Sequence, residues 1–417
     1  MNSTASVRAL FRNGPFARYI TGEAISMTGT WMQVMAQGWV MTTLTDRAML
    51  LGAVNFAAGI PMILLSMYGG VVADRHSKRN ILVLTQVVQI ACAVTLGRLV
   101  ATGQIKVWHL IAVAVVLGTS ASFEMPAASA LVPELAGKEH IAAAIAVDRS
   151  VFHGTRLIGP AAAGFLVALR GPAFAFYANA LSFLALIVAL CTIPRTAPAS
   201  AGEEPKRGGI KEGLRYVRSD KPTVAMIALM AACVICLFPV MAVMMPLYAT
   251  KVLGLGPDRM GLLMGVAAVG SLTGSMTLFG VPARHRRPVL FAAVILVALA
   301  LVCLGKAQGF GAAAAALVPL TLGFSTLAGL TATIVQERAP GPMRGRVSAI
   351  VGLSFFGLMP FAGLGLTAVA DWIGIRNALF VAAAGYLCVA IPVLLGPGRH
   401  ITEPTGTAST AGSQRDL

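Results

Sequence analysis

Long apolar runs separated by short polar turns dominate the chain. Each run has about the 20 mostly apolar residues that a helix needs to cross a bilayer. The period-two alternation of transmembrane strands is absent. The pattern therefore predicts an all-α polytopic membrane protein with twelve transmembrane helices. The predicted spans are residues 19–41, 49–73, 81–101, 107–132, 141–168, 172–193, 223–248, 259–281, 288–305, 311–335, 346–370 and 375–396.

A hydrophilic stretch between the sixth and seventh runs divides the chain into two halves. Its first part is rich in Ala, Pro and Ser, the composition of a flexible linker. Its second part places Ile210, Leu214 and Val217 on one helical face, which predicts a short helix on the inner membrane surface. The predicted domains are a cytoplasmic N-terminus at 1–18, a six-helix bundle at 19–193, a cytoplasmic linker at 194–222, a second six-helix bundle at 223–396 and a disordered cytoplasmic tail at 397–417.

The charge distribution follows this membrane topology. Only 12% of the residues are charged, against about 25% in soluble domains. The formal net charge of +16 would suggest nucleic acid in a soluble protein. Here Lys and Arg concentrate in the turns on the side of the N-terminus, as the positive-inside rule describes. The basic excess therefore predicts that both termini are cytoplasmic, and we expect no nucleic-acid partner.

The two halves resemble each other in sequence. The segment Leu131–Ala136 recurs as Ile334–Ala339, which aligns Glu134 with Glu337. Two glycines in and after the fifth span also recur at the same spacing in the second half. Because these sequence matches share one spacing between the halves and fall on equivalent turns, they indicate a duplicated bundle.

The turn between the second and third spans, Gly70–Arg79, carries the most specific motif. It resembles the signature loop of major facilitator superfamily transporters, which reads Gly, three residues, Asp, a basic residue, any residue, Gly and two basic residues. Only Ser77 departs from it. The resemblance implies substrate binding between the two halves and alternating access. The copy in the second half, Gly280–Arg287, contains no acidic residue.

This resemblance and the charges of the turns predict a cytoplasmic gate. We expect Gly70 to allow close helix approach and the charged residues to pair with the opposite half. The alternative is that these charges anchor the turns to anionic lipid. The predicted gate residues are Gly70, Asp74, Arg75, Lys78, Arg79, Glu134, Glu337, Arg344 and Arg346.

Charged residues at membrane depth are costly and are therefore functional candidates. Glu124 and Arg149 are at similar depth in adjacent spans, where they could face each other. One interpretation is a structural network. The other is that Glu124 or Glu23 carries a proton, since desolvation disfavours its charged form, with Arg156 modulating it or contacting substrate. His153 is interpreted as a packed histidine.

A polar stripe runs along the first span through Glu23, Ser26, Thr30, Gln33 and Gln37. Such a stripe should face a cavity or a neighbouring helix, and the sequence leaves both open. The residues predicted to serve proton coupling or the substrate pathway are Glu23, Gln33, Gln37, Glu124, Asp148, Arg149 and Arg156.

The fifth span contains Gly159, Pro160, Ala163 and Gly164. The segment resembles the Gly-Pro-x-x-Gly-Gly motif of antiporter branches of the superfamily, with Ala163 in place of one glycine. The alternative is ordinary packing of small residues. Pro160 removes one helical hydrogen bond and favours a kink.

The run from Gln336 to Ser348 resembles the enterobactin-exporter-like branch of bacterial facilitators. This resemblance implies a multi-pass transporter of the bacterial inner (plasma) membrane that exports small amphipathic molecules, siderophore-like or drug-like, by proton antiport. The alternatives are a proton-coupled importer and a transport-inactive membrane scaffold. We expect a monomer that is not an enzyme, with a small-molecule substrate, protons and the lipid bilayer as partners. We expect no cofactor and no metal, with the proton gradient as the energy source.

Overall fold

The computed structural model describes residues 3–137, 139–193, 210–277, 281–396 and 398, and these are helical without strands. The linker at 194–209 and the predicted tail, apart from residue 398, lie outside the described residues. The first half consists of α1 (Ser3–Arg12), α2 (Gly14–Leu44), α3 (Ala48–Arg75), α4 (Lys78–Ala101), α5 (Val107–Ala136), α6 (Ile141–Arg170) and α7 (Pro172–Thr192).

The second half follows the same order after the linker helix α8 (Ile210–Ser219). It consists of α9 (Lys221–Cys236), α10 (Met245–Leu247), α11 (Pro257–Met276), α12 (Arg286–Lys306), α13 (Phe310–Arg338), α14 (Arg344–Phe356), α15 (Met359–Ile373) and α16 (Ile375–Leu395). Turns of π-helix flank α10 at Pro239–Val243 and Tyr248–Val252, and 3₁₀ turns precede α12 and α14.

Among the described residues, ten helical segments are long and apolar enough to cross a membrane. They correspond to every predicted span except the first and the eighth. The first span, in α2, carries the polar stripe, and the eighth, in α11, carries several glycines as well as Asp258 and Arg259. The count of twelve spans and the orientation of the termini therefore stay predictions.

Prolines and glycines interrupt two of the predicted spans. The seventh was predicted as continuous, but α9 gives way to π-helical turns next to Pro239 and Pro246. In the first of these turns the amide of Met244 donates to the carbonyl oxygen of Pro239, five residues earlier. The eleventh span divides into α14 and α15 at Gly357, just before Pro360. Since proline lacks an amide hydrogen and its ring clashes with the preceding turn, such breaks are expected at these places.

Packing within each half is extensive. In the first half α2 packs on α6 and α7, α3 packs on α5, and α4 packs on α5 and α7. In the second half α13 packs on α9, α11 and α12, while α16 packs on α9 and α12. Among the described residues, the halves meet mainly through two pairs of long helices, α3 with α15 and α6 with α11.

We name the side that carries residues 45–47 the outer face and the side that carries residues 76–77 the inner face, following the predicted topology. The halves touch near the outer face. A Cβ on Gly52 would lie 2.1 Å from Oγ1 of Thr367, and a Cβ on Gly164 would lie 2.6 Å from the carbonyl oxygen of Pro257. These close approaches need glycine. Toward the inner face, a cavity lies between α3, α5 and α14 instead.

Candidate functional site

Two cavities lie between the halves. The one on the side of the inner face measures about 370 Å³ and includes Ser66, Met125 and Phe356 in its lining. The other measures about 280 Å³, and its polar lining residues are Gln37 and Asn55. The side-chain oxygen of Asn55 is buried without a hydrogen-bond partner in the described protein. Mostly apolar walls with few polar groups suit amphipathic small molecules.

Glu124 on α5 is held by two amide side chains of α4. Its Oε1 accepts from Nε2 of Gln86 at 2.8 Å, and its Oε2 accepts from Nε2 of Gln89 at 2.5 Å. Gln86 in turn accepts a hydrogen bond from Oγ of Ser26 on α2 at 3.1 Å. The carboxylate thus links α4 to α5, and through Gln86 to α2.

Glu124 and Arg149, which the sequence places at similar depth, do not pair in this structure, where the amides of Gln86 and Gln89 bind the two oxygens of Glu124. Glu23 lies close enough to Glu124 and Asp148 to interact with them electrostatically. Three carboxylates therefore share one region of the first half. Arg149 is exposed.

The polar stripe of α2 serves both purposes that the sequence left open. Ser26 and Gln33 bond to neighbouring helices, since Gln33 accepts from Nδ2 of Asn179 on α7 at 2.8 Å. Thr30 bonds back to the carbonyl oxygen of Ser26 in its own helix. Gln37 lines the smaller cavity.

Arg156 lies in the middle of α6 with its guanidinium over the indole ring of Trp31, 5.2 Å from the ring centroid. The ring of Phe152 meets the indole edge-on at 5.9 Å. The sequence indicated Arg156 but missed the two aromatic residues, because a Trp and a Phe among apolar neighbours give no distinguishing pattern.

The segment with Gly159, Pro160 and Gly164 packs where α6 meets α2 and α11. A Cβ on Gly159 would lie 2.6 Å from Cβ of Trp31, and one on Gly261 would lie 2.3 Å from the carbonyl oxygen of Pro160. Small residues therefore let α6 approach helices of both halves. This contact is compatible with the packing interpretation and with a pivot for an antiporter.

The inner-face charges pair within each half rather than across the halves. Lys78 binds Oε1 of Glu134 at 2.5 Å, and Nη2 of Arg286 binds Oε1 of Glu337 at 2.9 Å. The two ion pairs occupy equivalent places in the repeat, each joining the start of one helix to the end of the next. The predicted pairing with the opposite half is absent among the described residues, because the cavity separates the halves at this face.

The remaining predicted gate residues are also bound within one half or exposed. Nη1 of Arg79 donates to the carbonyl oxygen of Ile193, and Arg344 donates to the carbonyl oxygen of Ala339. Asp74 and Arg75 are exposed.

Gly69 makes the close contact that the sequence assigned to Gly70. A Cβ on Gly69 would lie 2.0 Å from the carbonyl oxygen of Ser122 on α5, whereas one on Gly70 would meet nothing within 4 Å. The motif does not show which face of α3 meets α5, so it did not single out Gly69, and the gate role of Gly70 stays a prediction.

The linker helix α8 is bound to the second half. Arg346 pairs with Glu212 at 2.5 Å, and the hydroxyl of Tyr216 donates to the carbonyl oxygen of Arg338. Val217 is buried against the second half, so the apolar face of α8 contacts protein there, whereas Leu214 is exposed. The predicted membrane-surface helix is thus docked on α14 and α9.

A bidentate ion pair reinforces this docking. Nε and Nη2 of Arg338 donate to the two oxygens of Asp220 at 2.8 and 2.7 Å. Burial by itself raises the pKa of Asp220, but the hydrogen bonds from Arg338 and Thr223 outweigh it and hold that pKa below its usual value.

At the outer face, acidic residues that the sequence did not single out join the halves. Asp371 of α15 accepts the backbone amides of Ala48 and Met49 at the start of α3. Asp46 binds Nζ of Lys251 at 2.5 Å. The sequence signals are an Asp a few residues after the predicted first span and another directly after the predicted eleventh span, and neither identifies its partner.

Comparisons with known proteins agree with this architecture. The family model described as transmembrane secretion effector matches residues 5–406. An uncharacterised transporter of the major facilitator type from Bacillus subtilis is 26% identical, over 98% of this chain and 99% of that protein. A multidrug efflux pump from Mycolicibacterium fortuitum is 22% identical over 92% and 94%. An enterobactin exporter from Citrobacter koseri is 25% identical over 82% and 80%.

Solved structures share the fold. A nucleoside transporter matches with a TM-score of 0.71 at 12% identity, over 95% of this chain and 99% of that one. A bacterial homologue of the iron transporter ferroportin in an inward-facing state matches with a TM-score of 0.68 at 16% identity, over 93% and 99%. The relatives are transporters rather than enzymes, and the ten apolar helices fit a multi-pass protein of the bacterial inner membrane. The chain therefore belongs to the transmembrane secretion effector family of major facilitator superfamily transporters.

Proposed function

We propose that this protein exports small amphipathic molecules, siderophore-like or drug-like, in exchange for protons by alternating access. The observation that carries the proposal is the contact of Glu124 with Gln86 and Gln89. No Lys or Arg among the described residues pairs with this carboxylate. A carboxylate at membrane depth without a cation is a favourable place to bind and release a proton.

Protonation of Glu124 would change the contact between α4 and α5. When Glu124 is ionised, its two carboxylate oxygens accept hydrogen bonds from the amides of Gln86 and Gln89. When protonated, one oxygen carries a hydrogen and becomes a donor, which an amide nitrogen cannot accept. Rotation of one amide, which turns its oxygen toward the new hydrogen, would satisfy both groups. Rotation of Gln86 would also break the hydrogen bond that it accepts from Ser26, which would link proton binding to the position of α2.

The export of amphipathic molecules is supported by the apolar cavities between the halves and by relatives whose names specify efflux and siderophore export. The larger cavity lies at the face that the predicted topology assigns to the cytoplasm, the side from which an exporter would load its substrate, and this supports the proposal. Alternating access would then require the outer-face contacts to break.

Transport by the purified protein in vesicles with an imposed pH gradient tests this function. Siderophores and fluorescent dyes serve as substrates. We expect the Glu124→Gln protein to lose gradient-driven accumulation while it keeps exchange of labelled for unlabelled substrate, because exchange needs no proton step. The Glu23→Gln protein tests the second carboxylate in the same assay.

The matched control is Glu139→Gln, which neutralises an exposed carboxylate in the turn between α5 and α6 and should behave as the original protein. Full gradient-driven transport by both the Glu124 and Glu23 variants would exclude the proposed coupling. Substrate movement in the same direction as protons would favour an importer. No movement of any substrate would favour the scaffold alternative.

A further inference from the structure

We propose that Arg156 and Trp31 form the binding site for the anionic group of an aromatic carboxylate substrate. This inference deepens the proposed function by naming a substrate class, and it rests on that function. The site is formed by α2 and α6, in the same half as the Glu124 contact.

The site is held in shape by close helix packing. The guanidinium of Arg156 stacks over the Trp31 ring at 5.2 Å, and Phe152, one turn earlier on α6, meets the same ring edge-on at 5.9 Å. Gly159 lets Trp31 approach α6, because a Cβ there would lie 2.6 Å from the Trp31 Cβ. Two aromatic rings and one cation are thus fixed together.

Arg156 is the cation of this site and has no anionic partner. None of the ion pairs among the described residues includes it, and no protein acceptor binds its N–H groups. The indole Nε1 of Trp31 is also buried without an acceptor. A guanidinium has five N–H donors and an indole has one. The site therefore offers many donors and, from the protein, no acceptor.

Arg170 and Arg287 also stack over rings, but they lie at the end of α6 and the start of α12. Several other arginines of the described chain bind protein oxygens. Arg286, Arg338 and Arg346 bind carboxylates, and Arg376 binds the carbonyl oxygen of Ala307. Arg156 instead lies midway along the 30-residue α6, about 22 Å from its start at 1.5 Å per residue. The cation–π contact contributes only about 0.5–2 kcal/mol, so an anion would stabilise this residue further.

The position of Trp31 connects the site to the substrate pathway. Val34 and Gly38, which follow it by three and seven residues on α2, line the smaller cavity. Residues at this spacing lie on one helical face. Trp31 therefore continues the cavity-lining face of α2, one turn beyond Val34.

The chemistry of the site selects an aromatic carboxylate. The planar guanidinium fork matches the two oxygens of a carboxylate, and the indole N–H supplies a further donor. The rings of Trp31 and Phe152 offer stacking and edge contacts to an aromatic ligand. The positive charge of Arg156 at the Trp31 ring disfavours a cationic ligand.

Binding in detergent, without any gradient, tests the inference. Trp39, Trp108 and Trp372 are replaced by Phe, so that Trp31 is the only tryptophan. The probes are 4-nitrobenzoate, its neutral isostere 4-nitrobenzamide and the cation 4-nitrobenzylammonium, which quench indole fluorescence. We expect 4-nitrobenzoate to bind about tenfold more tightly than the amide, as charge-assisted hydrogen bonds predict, and the cation to bind least.

Variants of Arg156 test whether this residue causes the preference for the carboxylate over the amide. In the Arg156→Gln protein the benzoate and the amide should bind equally, and in Arg156→Lys, which keeps the charge but loses the fork, the preference should be reduced but present. The matched control is Arg170→Gln, since Arg170 on the same helix stacks over Phe174 at 5.7 Å outside the site; it should keep the full preference. Thermal melting of each variant verifies folding.

Equal binding of benzoate and amide by the protein with Arg156, or an unchanged preference in Arg156→Gln, would overturn the inference. Since this assay contains no proton gradient, its failure leaves the Glu124 experiment unaffected. Conversely, loss of gradient-driven transport with dyes says nothing about the preference for carboxylates. The two proposals therefore fail separately.

Discussion

Asp371 of the second half caps the first turn of α3 in the first half, with Oδ1 accepting the backbone amide of Ala48 at 2.5 Å. Its Oδ2 accepts the next amide, that of Met49, at 3.0 Å. The start of a helix has unpaired N–H groups and a partial positive charge. One carboxylate thus fastens a helix end of the opposite half and stabilises the closed outer face.

We expect Asp371→Asn to shift the protein toward a state with an open outer face. The loss of a negative charge at a helix start costs about 0.3–2 kcal/mol, which changes the ratio of the two states by about twofold to thirtyfold. Distances between spin labels on the outer ends of α3 and α15 measure this shift. Lys251→Gln removes an ion pair whose Asp46 side chain is 81% exposed, and it should change the ratio much less. Unchanged distances in Asp371→Asn would show that the cap does not hold the halves.

The repeated ion pair should contribute unequally to the stability of the two halves. The Lys78 side chain is 5% exposed and Glu134 28%, whereas Glu337 is 54% exposed. Glu134→Gln leaves a buried ammonium without its partner, which we expect to cost about 1–3 kcal/mol of unfolding free energy. Glu337→Gln should cost less than about 1 kcal/mol. Thermal melting of the purified variants gives the comparison, and an equal loss in both would contradict the burial argument.

Asp220 should make docking of α8 sensitive to acid. The folded-state pKa of Asp220 is below its usual value of 3.8, so its stabilisation is fully present above the unfolded value and is lost as pH falls through the folded value. We expect Asp220→Asn to lower the melting temperature at pH 7, and the difference from the original protein to shrink as pH falls below the usual value of 3.8 and through the folded-state pKa. Ser219→Ala, on the adjacent exposed residue, serves as the control. A difference in melting temperature between Asp220→Asn and the original protein that does not depend on pH would show that the charge of Asp220 does not stabilise the docking of α8.

Adjacent glycines of α3 should respond differently to alanine. Gly69→Ala places a methyl group 2.0 Å from a carbonyl oxygen of α5, whereas Gly70→Ala meets open space. We expect Gly69→Ala to lower thermal stability by about 1–3 kcal/mol, as overpacking does, and Gly70→Ala to leave it unchanged. If Gly70 serves the predicted gate, its alanine variant will still transport more slowly, because the contact forms only when the inner face closes. Equal melting temperatures for both variants would contradict the packing shown here.

The helical class, the two halves and the neighbourhood of the buried charges follow from the sequence, because apolar run length and charge at membrane depth are local properties. The residues that these side chains and glycines contact were predicted less well. Glu124 binds Gln86 and Gln89 rather than Arg149, since amides in an apolar run give little signal. Gly69 rather than Gly70 contacts α5, because helix rotation depends on the neighbouring helix. Asp371 was missed because its partner is a backbone 323 residues away.

The two helix crossings between the halves differ in chemistry, and they are therefore suited to different roles in a conformational change. The crossing of α6 with α11 is made by Gly164, Gly261 and the backbone of Pro160, which can roll on one another without breaking a polar contact. The crossing of α3 with α15 ends in the hydrogen bonds of Asp371, which must break before the outer face parts. The first crossing is suited to act as a hinge and the second as a latch. The two halves would then rotate about the α6–α11 contact, and the outer face would open mainly between α3 and α15.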